Sequence, residues 1–217
     1  ASRMAASTIA NYFRSSADSH GAIPERLTRA VVEANAKIFA RADDSRTHRG
    51  MGTTVVAAAF SAPEGKLYVA HAGDSRCYRV REGNIAQLTR DHSLVSDALL
   101  ERPDLTENDL SYLPRNVITR ALGISPTVDL DLRVDNVRLG DVYLLCSDGL
   151  HGLVSDEAMA AVVDDHEVLT DACARLVQMA NEAGGKDNIT VVLIRIEEED
   201  EPWSVRTPVR PRSSAPP

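Results

Sequence analysis

Aromatic residues, cysteines and long apolar runs are all scarce in this chain of 217 residues. Phe, Trp and Tyr together make up 4% of it, so Ala, Val, Leu and Ile must build the core, which suits a layered packing of helices and sheets. No apolar run is long enough to span a bilayer, and no basic-then-apolar leader opens the sequence. We therefore expect no membrane segment within this chain.

Positive charge is also in short supply. The 24 Lys and Arg residues are outnumbered by 32 Asp and Glu residues, which gives a formal net charge of −8. Binding to a nucleic-acid backbone requires a clustered basic surface, so nucleic acid is excluded as the main partner.

The cysteines give no sign of a disulfide framework or a metal cluster. An odd number, Cys77, Cys146 and Cys173, cannot all pair with one another, and no Cys-x-x-Cys spacing occurs. Their apolar surroundings indicate reduced core residues, which is typical of a cytoplasmic protein.

Hydrophobic periodicity predicts helices towards both ends and short strands between them. Helical spacing covers 1–13, 24–42, a segment capped by Ser155, and 167–182. Strand-like runs cover 53–60, 66–72, 75–80, 85–88, 128–137, 142–146 and 189–196. The first four runs follow one another through tight turns, which we interpret as an antiparallel meander. Strands flanked by helix pairs favour layered α+β packing over alternating βαβ units.

Three acidic residues occupy one kind of position, at the end of an apolar strand and beside glycine. Asp74 follows the strand at 66–72, Asp148 follows the strand at 142–146, and Asp187 precedes the strand at 189–196. A carboxylate at such a place is costly to desolvate alone, so the shared placement suggests convergence on a hard cation such as Mg²⁺ or Mn²⁺. Taken singly, each also has a plain structural interpretation: a turn at Asp148 or Asp187, and a local ion pair at Asp74.

Six short motifs bring a family into view. In chain order they are MGTT at 51–54, AHAGDSR at 70–76, LTRDHS at 88–93, VITRALG at 117–123, LLCSDGL at 144–150 and GKDNIT at 185–190. Their order and spacing resemble the type-2C (PPM) metal-dependent protein phosphatases, most closely the compact bacterial members that oppose Ser/Thr protein kinases.

The resemblance implies a fold and a set of residue roles. The fold is an α+β, four-layer αββα sandwich of two antiparallel sheets with helix pairs outside. Asp148 and Asp187 match aspartates that hold two Mn²⁺ or Mg²⁺ ions, and Asp74 matches an aspartate of a further, weaker metal site. Asn116 aligns with a position near that outer site, and 95–115 matches a flap beside it. No residue is assigned as general acid or nucleophile.

The resemblance also implies that the family's first motifs precede Ala1. They include a phosphate-binding arginine and the Asp-Gly turn whose aspartate bridges both metals. We therefore expect a phosphatase domain over 1–196 that lacks its N-terminal strands, binds Mn²⁺ weakly by itself and hydrolyses phosphopeptides poorly. Residues 197–217, acidic and then rich in Pro and Arg, are predicted to form a disordered tail.

Three functions stay open at the level of sequence. The first is a serine/threonine phosphatase that uses a metal-activated water, acts in the cytoplasm as a monomer, and has Ser/Thr kinases and their phosphorylated substrates as partners. The second is a phosphatase-like binding module with little or no catalysis. The third keeps the chemistry but acts on regulators of sigma factors. His71 is expected to be structural, His92 lies beside the flap and close to the site, and Arg76 is expected to orient Asp74 or neighbouring loops.

Overall fold

The computed structural model describes residues 1–15, 22–44, 47–114 and 116–198, and within these ranges it contains seven helices and seven strands. The helices are α1 (Ser2–Ser15), α2 (Ile23–Asp43), α3 (Leu94–Glu101), α4 (Glu107–Leu110), α5 (Asp148–His151), α6 (Asp156–Asp165) and α7 (Leu169–Glu182). The strands are β1 (Val55–Ser61), β2 (Lys66–Ala72), β3 (Arg76–Arg81), β4 (Asn84–Gln87), β5 (Asp131–Asn136), β6 (Val142–Cys146) and β7 (Val191–Arg195). Most of the predicted tail, 199–217, lies outside the described residues.

The strands form two antiparallel sheets. One has the order β1-β2-β5 and the other β4-β3-β6-β7. Alternation along β2 shows how the layers arise: Tyr68 and Ala70 pack towards α1 and α2, while Leu67 and Val69 pack towards the second sheet. This period of two is the expected signature of a strand covered on both faces.

The central strand of the second sheet repeats the pattern. All five residues of β6 are buried; Leu144 joins the core formed with α6 and α7, whereas Tyr143 and Leu145 join the core between the sheets. Three apolar cores therefore separate four layers: α1 and α2, the first sheet, the second sheet, then α6 and α7. The predicted αββα sandwich is confirmed.

The predicted meander is wrong. Strands β2 and β3 follow one another in sequence but do not pair; β2 pairs with β1 and β5, and β3 pairs with β4 and β6. The chain crosses from one sheet to the other through Gly73, whose φ of +111° is open to glycine at little cost. A β-carbon at Gly73 would collide with the side chain of Thr54, so only glycine fits this crossing.

Several boundaries also differ from expectation. Strand β5 begins at Asp131, later than the predicted 128, and is largely exposed because it lies at the sheet edge. The segment 91–115 holds two short helices, α3 and α4, capped by Ser93 and Thr106. The four-residue helix α5 was not predicted, because one helical turn carries no periodic signal.

The cysteine and membrane expectations concern single features. All three cysteines are free thiols; Cys77 and Cys146 are buried, as predicted, and Cys173 is half-buried on α7. Within the described ranges, none of the helices combines the length and the apolar character of a membrane span.

Candidate functional site

Strand pairing brings the three predicted aspartates to one end of the second sheet. Arg76 of β3 lies opposite Cys146 of β6, so Asp74, two residues before the first, and Asp148, two residues after the second, leave the sheet at the same end. Strand β7 runs antiparallel to β6 and pairs at this end through Val191, which places Asp187 just before it. Neighbouring antiparallel strands meet start to end, so residues distant in sequence become neighbours here.

A serine and a glycine hold the Asp148 and Asp187 segments together. The Ser147 hydroxyl donates to the backbone carbonyl of Asn188 at 2.9 Å and accepts from the backbone N–H of Thr190 at 3.0 Å. A β-carbon at Gly149 would lie 2.5 Å from the Asn188 carbonyl oxygen, so the two segments touch closely. Glycine is therefore required at this position by the packing of its neighbour.

Asp148 and Asp187 line one cavity of about 900 Å³ between the sheets. Its other walls come from α1 and β1 on the first sheet side, and both carboxylates are exposed. In each case the backbone N–H of the next residue donates to the carboxylate, at 2.9 Å for Gly149 and 2.6 Å for Asn188. These bonds leave a second carboxylate oxygen on each residue open to a ligand.

Asp74 stands beside this pair and senses its charge. Burial raises the pKa of the Asp74 carboxyl, and repulsion from Asp148 raises it further, against a smaller lowering effect of His151. Two carboxylates that repel each other in a partly buried place are stabilised by a bound cation. The oxygen-only donor set of Asp74, Asp148 and Asp187 fits a hard divalent ion.

Arg76 does not pair with Asp74. Its guanidinium donates two hydrogen bonds to Asp91, at 2.8 and 2.7 Å, and a third to the Tyr78 hydroxyl at 2.8 Å. The pair joins the start of β3 to the loop after β4, and so Arg76 orients neighbouring loops. This was one of the two roles expected from the sequence, and the local ion pair with Asp74 was wrong.

His151 is a site residue that sequence reasoning missed. Its Nε2 lies 3.0 Å from the Asp74 backbone carbonyl oxygen, and it occupies the last position of α5, three residues after Asp148. A spacing of three places both residues on one side of a helical turn. That spacing could have suggested the contact only if the turn itself had been predicted.

A second group of titratable side chains, His71, His92 and Asp131, lies on the other side of the Gly73 crossing. One ligand-type atom from each falls within 4.8 Å of the others. However, the two imidazole rings stack at 4.7 Å with an angle of 13°, so their in-plane lone pairs run side by side and do not converge on one ion. Arg120 also donates to Asp131 at 3.0 Å and supplies the positive charge that a metal would bring. The group is a hydrogen-bonded network, consistent with the structural role expected of His71.

Asn116 lies at the base of the predicted flap and is exposed. The segment that follows it returns along Ser93, where an isolated bridge pairs Ser93 with Ile118. Among the described residues, no hydrogen bond joins Asn116 to Asp74, Asp148 or Asp187. Its place near an outer metal site stays a prediction.

Taken together, the layers and the acidic cavity define an αββα sandwich protein that gathers carboxylates at one end of its sheets. Comparison with known proteins gives this class a family. The sequence matches the family described as "Protein phosphatase 2C" over residues 1–102. It is 36% identical to the serine/threonine phosphatase stp of Listeria monocytogenes over 169 residues, which are 77% of this chain and 66% of that protein.

Solved structures agree with the sequence match. The crystal structure of the Mycobacterium tuberculosis serine/threonine phosphatase PstP/Ppp superposes with a TM-score of 0.78 at 33% identity, covering 90% of this chain and 83% of that chain. The catalytic domain of PstP in complex with two manganese ions gives a TM-score of 0.76 at 32% identity, covering 90% and 82%. This chain belongs to the protein phosphatase 2C family, as its six motifs indicated, and it spans about two thirds of the length of the Listeria relative.

Proposed function

We propose that this chain forms part of a metal-dependent protein phosphatase that hydrolyses phosphoserine and phosphothreonine. The observation that carries the proposal is the meeting of Asp148 and Asp187 on one cavity, in a chain whose relatives are named serine/threonine phosphatases. On this proposal, residues 1–196 belong to one phosphatase domain with 95–115 as its flap.

The carboxylates of Asp148 and Asp187 would hold Mn²⁺ or Mg²⁺, and Asp74 would contribute to a further ion. The support is the donor chemistry of the cavity, the mutual repulsion of Asp74 and Asp148, and the two manganese ions bound by PstP. When bound, such ions supply a water nucleophile at neutral pH and neutralise the charge on the phosphoryl oxygens. Ser147 and Gly149 fix the carboxylates by holding the Asp148 and Asp187 segments in register.

The thiols argue against a covalent phosphocysteine route. Burial raises the pKa of Cys77 and of Cys146 to about 12, and burial also raises the pKa of Cys173. A nucleophilic cysteine needs a lowered pKa, because the thiolate is the reactive form. Direct attack by water is therefore the chemistry that these residues favour.

The proposed partners are phosphoproteins modified by Ser/Thr kinases. The excess of acidic residues and the free thiols support a protein that binds no nucleic acid and works in a reducing compartment such as the cytoplasm. A monomeric state completes the proposal, and sedimentation of the purified chain would test it.

The decisive experiment measures Mn²⁺-dependent hydrolysis of a phosphothreonine peptide by the 217-residue chain and its variants. We expect Asp148→Asn and Asp187→Asn each to lower the rate roughly a hundredfold, as loss of a charge-stabilising group does in related chemistry. Asp164→Asn removes an exposed carboxylate from α6, away from the cavity, and is the matched control.

Unchanged rates in both cavity variants would remove the metal assignment. Absence of Mn²⁺-dependent hydrolysis in the unaltered chain would instead favour the binding-module function. Manganese binding followed by electron paramagnetic resonance separates loss of metal from loss of turnover.

A further inference from the structure

The Gly73–Asp74 crossing is gripped at its two ends by imidazoles from different elements. At one end, the Gly73 N–H donates to Nδ1 of His92 at 3.1 Å. At the other, Nε2 of His151 lies 3.0 Å from the Asp74 carbonyl oxygen. His92 comes from the loop after β4, whereas His151 comes from α5.

Each contact fixes the protonation of its ring. A backbone N–H can only donate, so Nδ1 of His92 accepts and carries no proton. A backbone carbonyl can only accept, so Nε2 of His151 carries the proton and donates it. Both rings therefore function in the neutral form, and burial is the main cause that lowers the pKa of each.

His92 is held rigidly enough to act as a support. Its side chain is fully buried and stacks on His71, whose own Nε2 lies 2.9 Å from the Arg90 carbonyl oxygen. Its backbone N–H donates to the Gly73 carbonyl at 3.0 Å, and its carbonyl accepts from Thr119 at 2.8 Å. Gly73 is thus bonded to the same residue through both its N–H and its C=O.

His151 connects the crossing to the other side of the site. It shares the single turn of α5 with Asp148, so a bond from His151 to the Asp74 backbone ties the Asp74 loop to the helix that carries Asp148. The position of one carboxylate relative to the other then depends on this bond. Groups that orient metal ligands without touching the ion change metal affinity by about 10- to 100-fold when they are removed.

We propose that His92 and His151 are positioning residues that clamp the Gly73–Asp74 crossing at its two ends and so set the Asp74 carboxylate against Asp148. The consequence for metal binding rests on the proposed function, while the clamp itself does not. The two are tested separately in one set of variants.

The variants are chosen by atom position. His92→Leu removes the acceptor, whereas His92→Asn places an amide oxygen where Nδ1 stood. His151→Leu removes the donor, whereas His151→Gln places an amide N–H where Nε2 stood. His166→Leu is the control, because His166 bonds only to a carbonyl near it, on Val162 of α6 at 2.8 Å.

The clamp is read by nuclear magnetic resonance on the metal-free chain. We expect ¹⁵N shifts that report an unprotonated Nδ1 in His92 and a protonated Nε2 in His151. We also expect the Gly73 amide to exchange with solvent several-fold faster in His92→Leu than in His92→Asn. The opposite tautomer in either ring, or equal exchange in the two variants, would overturn the clamp.

The consequence for metal is read by manganese titration with electron paramagnetic resonance. We expect both leucine variants to bind the weakest-held Mn²⁺ about tenfold less tightly, with Asn and Gln variants close to the unaltered chain. Equal losses in Leu and Asn or Gln variants would overturn the positioning role. If Asp74→Asn leaves Mn²⁺ binding unchanged while the exchange result holds, the metal role of Asp74 fails and the clamp stands.

Discussion

Replacing Asp141 with alanine should destabilise the fold more than any exposed charge substitution. Asp141 lies at the start of β6, and its side chain is 1% exposed. It accepts two bonds from the Arg81 guanidinium, at 2.6 and 2.7 Å, and one from the Arg138 backbone N–H at 2.7 Å. The pair joins β3 to the turn between β5 and β6, and therefore links the two sheets.

The size of the effect follows from what is left behind. Without the carboxylate, Arg81 keeps one acceptor, the Asn136 carbonyl at 2.9 Å, and its side chain is 17% exposed. Breaking a buried ion pair costs about 3–5 kcal/mol, and the remaining acceptor and partial exposure place this case near 3 kcal/mol. For a chain of this size, each kcal/mol lowers the melting temperature by about 2–4 °C, so a fall of roughly 6–12 °C is expected.

Urea and thermal unfolding followed by circular dichroism would measure the change. Lys37→Ala, which breaks the exposed 2.6 Å pair with Glu33, is the control and should cost under about 0.5 kcal/mol. A loss for Asp141→Ala below about 1 kcal/mol, or one equal to the control, would refute the reasoning.

The same residue predicts a pH dependence. Burial by itself would raise the pKa of the Asp141 carboxyl, but hydrogen bonds from Arg81 and the Arg138 backbone outweigh it and lower the pKa. A lowered folded-state pKa gives stability that is present above the unfolded value of about 3.9 and is lost as the pH falls through the folded value. Asp141→Asn should therefore flatten the acid side of the stability profile below about pH 4.

Two further predictions concern contacts around the site. Gly149→Ala puts a β-carbon 2.5 Å from the Asn188 carbonyl, so the two acidic segments must move apart at a cost of about 1–3 kcal/mol; Mn²⁺ titration should show weaker binding, and an unchanged affinity would contradict the close packing. Asn35→Ala removes the fully buried amide that accepts from the Gly123 N–H at 2.8 Å and donates to carbonyls of the turn at 125–126; we expect a loss of about 2–4 kcal/mol in urea unfolding, and a change below about 1 kcal/mol would count against that role.

Much of the local structure could be predicted from the sequence because burial leaves a periodic record. The strands at 66–72 and 142–146 match β2 and β6 residue for residue, since each is an apolar run covered on both faces. Ser155 caps α6 as predicted, accepting from the Ala158 N–H at 3.3 Å. The carboxylates at strand ends were also recognisable, because an acidic residue beside a buried strand and a glycine is unusual on energetic grounds.

Pairing and side-chain partners were decided only by the tertiary structure. A strand has the same period of two whichever sheet it joins, so nothing local shows that the chain changes sheets at Gly73. Nor does the sequence show that Arg76 chooses Asp91 over Asp74, because both acids are nearby in the chain and only the folded loops give one of them the right distance.

The sequence by itself determined the family, the layer pattern and three of the acidic residues, because motifs and periodicity are local properties. The tertiary structure alone decided how Asp74 is held, since His92 and His151 come from separate elements and meet the Gly73–Asp74 crossing only after both sheets have formed. Hydrogen bonds between distant segments depend on packing that no short stretch of sequence specifies, and here that packing sets the geometry of the acidic site.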